Sequence, residues 1–93
     1  MTHRPFFEDA AMGREPQVLA AVGLDRKMLD LQWGGDEFSV GDGDNRVYVG
    51  SGFTVTMAAS LGGHAGLVKQ LALLGANVHA LDENGWDTLM IAS

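Results

Sequence analysis

Gly52-Phe53-Thr54-Val55-Thr56-Met57-Ala58-Ala59-Ser60 lies over Gly85-Trp86-Asp87-Thr88-Leu89-Met90-Ile91-Ala92-Ser93 when the chain is shifted on itself by 33 positions. Glycine, methionine, alanine and serine coincide, and an aromatic residue follows each glycine. A period of that length belongs to solenoid units, which cannot bury their apolar face without a stacked neighbour. The residues between the two copies read as helix, turn and helix. Ala58 and Ala59 are small enough to let two helices approach, and Leu67, Val68 and Leu71 fall at i, i+1 and i+4 on one apolar face. Gly75 stands where the second helix must end, since glycine takes the left-handed conformation of a helix stop at no steric cost. Asp82, Asn84 and Gly85 are turn formers that lead into the next copy.

Period and motif together resemble the ankyrin repeat family over residues 52–91. Gly52-Phe53-Thr54 opens a unit, Ala58-Ala59 packs its first helix, Gly63-His64 makes the inter-helix turn and Leu67-Val68-Lys69 starts the second helix. Leu74-Gly75-Ala76-Asn77-Val78 closes it, and Asp82-Glu83-Asn84-Gly85-Trp86 begins the next finger. Where the family's first helix carries threonine, proline, leucine and histidine, this chain has Thr54-Val55-Thr56-Met57 and Asp87-Thr88-Leu89-Met90. Methionine for histidine gives up a turn-stabilising hydrogen bond but keeps the fill, so weaker repeats of the same fold are expected.

A degenerate unit is expected upstream, with Val18-Leu19-Ala20-Ala21-Val22 as its first helix and Lys27 to Trp33 as its second. Gly35 then corresponds to Gly75, and the following finger is longer: 17 residues separate Gly35 from Gly52, against 10 from Gly75 to Gly85. The extra residues, Phe38 to Val49, are apolar on both sides of a glycine and aspartate turn, which predicts an inserted β-hairpin. Pro16 is placed in the first turn of the preceding helix, where its missing N–H does no harm. The expected fold is all-α, an ankyrin-type stack with hairpin fingers. Its parts are a cap or flexible segment at 1–15, the degenerate unit at 16–51, a repeat at 52–84 and the start of a truncated repeat at 85–93. The apolar ending Leu89 to Ala92 reads as an interrupted pattern, which suggests a longer natural chain or self-association through an open C-terminal helix.

Composition narrows the function. Ninety-three residues give room for one small domain, and the 46% apolar fraction suits a folded chain. A net charge of −6 repels phosphate backbones and anionic lipid, so nucleic acid and membrane are not expected as partners, and a charged protein partner should be basic. Arg4-Pro5 is followed by two phenylalanines and then Glu8-Asp9, which is no signal peptide; a cytoplasmic site is the default. The absence of cysteine removes disulfides, thiolate metal sites and cysteine nucleophiles.

The remaining residues offer little chemistry. Asp36, Glu37, Asp42, Asp44 and Asn45 could form a calcium loop, but an EF-hand counted from Asp42 puts Arg46 at an oxygen-ligand position and Phe53 in place of the glutamate. His64 and His79 stand 15 residues apart and no third ligand is near, while Ser51, Thr56 and Ser60 lack a base in any nucleophile pattern. No catalytic residue, metal site or cofactor is expected. Contact residues are expected on the fingers, where seven of the twelve acidic side chains fall: Tyr48, Phe53, Asp82, Glu83, Trp86 and Asp87. The resemblance implies a non-catalytic module that binds another protein through its fingers and inner helix surface. A structural segment of a longer repeat protein is the alternative, and a calcium-binding module is the least favoured.

Overall fold

The structure, a computed structural model, describes residues 3–92. It is mostly helical and carries one two-stranded antiparallel sheet. Helices α1 (Arg4–Met12) and α2 (Glu15–Leu24) form one hairpin, and α3 (Val55–Leu61) and α4 (Ala65–Leu73) form a second. Strands β1 (Phe38–Val40) and β2 (Val47–Val49) lie between the hairpins in sequence, and a short helix α5 (Thr88–Ala92) follows. α3 is central: it packs against α1 on one side and α5 on the other. Val55, Thr56, Met57, Ala58 and Ala59 are all buried there.

The second hairpin forms where the sequence places it. Thr54 caps α3, accepting from the Met57 N–H at 3.4 Å, while the Met57 sulfur accepts from the Thr54 N–H at 3.4 Å. Gly63 closes the inter-helix turn at φ 81°, and Gly75 ends α4 at φ 107°, both in the region that disfavours a side chain. Leu67 and Leu71 form the buried face of α4.

The first hairpin differs from expectation. Residues 4–12, expected in a cap or flexible segment, form α1, with Pro5 in its first turn and Phe6, Phe7, Ala10 and Ala11 buried. Glu8 and Asp9 interrupt the apolar sequence without breaking the helix, because they fall on the outer side and pair with Arg4 and Arg14, each at 3.0 Å. Val18 and Val22 therefore belong to the second helix of a hairpin, not the first. Helices α1 and α3 begin 51 residues apart, at Arg4 and Val55.

The helix expected over Lys27–Trp33 reduces to one 3-10 turn, Arg26–Leu29. Long-range pairing takes over beyond it. The Trp33 N–H donates to the Phe53 carbonyl and the Gly52 N–H to the Trp33 carbonyl, both at 2.7 Å. The Trp33 ring stands edge-on between Phe7 and Phe38, at 5.6 and 5.1 Å between centroids. An extended Trp33 satisfies these partners at once, which a helical one would not. The expected hairpin is present, with Phe38 opposite Val49, Ser39 opposite Tyr48 and Val40 opposite Val47.

Candidate functional site

The segment expected as the second finger, residues 82–86, is tied by backbone and carboxylate hydrogen bonds. Asp82 is the keystone of the second finger: its Oδ1 accepts from the Asn84 N–H at 2.8 Å and the Trp86 N–H at 2.9 Å. Its own N–H donates to the Trp86 carbonyl at 2.9 Å, and its carbonyl accepts from Gly85 at 3.1 Å. The finger rests on the one before it through a Glu83 N–H to Ser51 carbonyl contact of 3.4 Å. Gly52, at φ 85°, lies so close beneath that a Cβ there would stand 2.7 Å from the Glu83 nitrogen. Gln32 ties the fingers together, donating through Nε2 to the carbonyls of Gly52 at 3.0 Å and Leu81 at 2.8 Å.

On this frame the six expected contact residues divide. Tyr48, in the middle of β2, and Trp86, at the end of the second finger, are each 52% exposed. Glu83 is exposed beside Trp86. Asp87 is half-buried and accepts from the Met90 N–H at 2.8 Å, so its carboxylate serves as the cap of α5. Two of the six are not surface groups. Phe53 is only 8% exposed and belongs to the core, because its carbonyl pairs with Trp33 and its N–H donates to Gly50 at 3.1 Å, which turns the ring inward. Asp82 is 9% exposed and its carboxylate is spent on the turn.

Of the helices, α3 is the one expected on the other contact face, and the β-hairpin sits against it and α1. β2 lies against both α1 and α3, and β1 against α1. Phe38 and Val49 are buried by this docking, and the Arg4 guanidinium stands 4.5 Å above the Phe38 ring. A recess of about 450 Å³ remains at the hairpin tip, lined by Met12, Leu61, His64, Asp44 and Arg46. Asp36, Glu37, Asp42 and Asp44 are exposed around the hairpin and add negative charge to the finger side.

His64 is built into the scaffold: its Nε2 donates to the Ala11 carbonyl at 2.9 Å and joins the turns of the two hairpins. His79 is exposed, and its backbone N–H donates to Asn77 Oδ1 at 3.0 Å. Among the described residues no group of three or more His, Asp or Glu side chains is placed to hold a metal ion. None of the helices among them is long and apolar enough to cross a membrane.

Trp33, followed by Gly34-Gly35, is a structural residue: its ring organises the aromatic contacts under the hairpin. A buried hydroxyl chain has no such local signal: Thr56 Oγ1 lies 3.0 Å from Thr54 Oγ1 and 2.9 Å from Thr88 Oγ1, so that α3 is tied to α5. Threonine does recur near the starts of α3 and α5, which hints at it. A scan against protein-family models finds no match to this chain, and a search of curated proteins finds none either.

Proposed function

We propose that this chain is a non-catalytic protein-interaction module of ankyrin type that meets a basic partner protein through its fingers. Support for the stack comes from two helical hairpins closed by left-handed Gly13 and Gly63, from α1, α3 and α5 lying in a row, and from the finger at 82–86 resting on the turn at 51–52. The functional reading is carried by one observation: Tyr48 and Trp86 are both half-exposed on elements fixed by the fold, beside exposed carboxylates. Large aromatics held in place bring contact area at low entropic cost, and carboxylates around them steer a basic partner. The contact face departs from the family pattern, because the β-hairpin covers the inner helix surface and leaves the fingers and the outward side of β2 as the accessible face.

The test is photo-crosslinking in the producing cell, with benzoylphenylalanine placed singly at Tyr48, Trp86 and, as a control away from the fingers, Lys69. A defined adduct is expected from the first two positions and not from the control, and it should weaken when Glu83→Lys is added. Equal labelling from all three positions, or none from Tyr48 and Trp86, would reject the finger surface.

A further inference from the structure

The outer helices α2 and α4 are not closely packed against each other, but they are bridged at both ends. At the start of α2, Gln70 Nε2 stands 3.5 Å from Glu15 Oε1, and just past its end Arg26 Nη2 donates to the Leu74 carbonyl at 2.7 Å. Between the bridges runs a groove of about 400 Å³ lined by Leu19, Val22, Gly23, Leu73 and Leu74. Leu73 is 79% exposed at its edge, and nothing lies within 4 Å of where a Cβ on Gly23 would be. The groove therefore joins an apolar hollow and a projecting leucine in one patch, with an acidic side chain at one end and a basic one at the other.

We propose that this groove is a self-association surface whose occupant is a second copy of the chain, lying antiparallel across it. A two-fold contact sets the same patch against itself, so it is favoured where a projection and a hollow lie together and the ends carry opposite charge. This patch has all of these. Leu73 of each copy enters the other's groove, and Glu15 of each faces Arg26 of the other. A uniformly basic segment laid in the groove would meet Arg26, and a uniformly acidic one would meet Glu15. A segment with both signs in reversed order satisfies both ends, and the chain's own outer face supplies it. The surface is separate from Tyr48 and Trp86 and does not depend on the finger reading.

Sedimentation equilibrium of the full chain over a wide concentration range tests the proposal. A reversible dimer is expected. Leu73→Gln should weaken it by about a hundredfold or more, since a two-fold buries that leucine twice. Helical circular dichroism should stay unchanged, as should melting at concentrations where the parent is monomeric, because Leu73 is exposed in the single chain. Arg26→Glu should also weaken the dimer, and Glu15→Arg with Arg26→Glu should recover it by restoring the pair with reversed sign. Leu89→Gln with Met90→Gln should leave it intact. A monomer at every concentration overturns the proposal, as does a dimer indifferent to Leu73→Gln or one dissolved only by the changes in α5. Failure of the folded double reversal to recover association also overturns it. If loss of the Arg26 to Leu74 contact unfolds the charge variants, Leu73→Gln decides alone.

Discussion

Thr56→Val is the most informative single change for the scaffold. It keeps the shape of the side chain and removes the middle hydroxyl of the chain that joins Thr54, Thr56 and Thr88, all buried. Two contacts of 3.0 and 2.9 Å are lost together. Thr54 Oγ1 keeps its long contact with the Met57 N–H, whereas Thr88 Oγ1 is left without its side-chain partner. At about 1 kcal/mol net per hydrogen bond, with a further cost for a buried hydroxyl left unpaired, the loss is about 2–3 kcal/mol. The methyl that replaces the hydroxyl gains about 0.8 kcal/mol, so a net destabilisation of about 1–2 kcal/mol is expected. In a domain of this size that lowers the melting midpoint by roughly 4–16 °C. Thr88→Val should cost about 1 kcal/mol, because it breaks one of the two contacts. The double change should cost less than the sum of the singles, since the bond between the two positions can be lost only once. Urea unfolding followed by helical circular dichroism measures all three. A Thr56→Val chain as stable as the parent, or strictly additive singles, would refute the hydroxyl chain as the tie between α3 and α5.

Three further outcomes follow from the same contacts. Asp82→Ala should destabilise the chain by about 1–3 kcal/mol in urea unfolding, since the buried carboxylate supports two backbone N–H groups; no change would return Asp82 to the surface contacts. Gly62→Ala should cost more than about 2 kcal/mol, because a Cβ there runs into the Ala11 carbonyl and the His64 ring, and a melting curve that does not move would refute that close approach. Acrylamide should quench Trp86 readily and Trp33 poorly, so Trp86→Phe should remove the accessible part of the fluorescence with stability held within about 0.5 kcal/mol.

What was legible in the sequence follows from how local each signal is. The hairpin of α3 and α4 was readable because its cap, small residues, apolar face and glycine stop all lie within about two dozen neighbouring positions, from Thr54 to Gly75. The upstream hairpin was misplaced because Val18 and Val22 suit either helix of a pair. The deciding residues, Phe6, Phe7, Ala10 and Ala11, were hidden by the charges of Glu8 and Asp9 between them. The course of residues 30–33 could not be read locally, since the partners that pull Trp33 into an extended conformation lie at Gly52 and Phe53. Phe53 and Trp86 show the same limit within the site. Both follow a glycine in the repeat, yet Phe53 is drawn into the core by its pairing with Trp33, while Trp86 is pinned by Asp82 with its ring half in water.

The β-hairpin explains how two short helical hairpins acquire a common core. Two helical hairpins and one further helix leave an open surface along α1 and α3, and β1 and β2 close it by burying Phe38 and Val49 there. The Phe7, Trp33 and Phe38 rings knit the β-hairpin to the first helical hairpin, which makes it part of the fold and not an appendage. The same docking leaves Tyr48 half-exposed on the outward side of β2. Removal of residues 38–49 should therefore uncover α1 and α3 and unfold the first hairpin, read as a loss of helical circular dichroism; a shortened chain that keeps the parent's melting curve would refute the hairpin as part of the core.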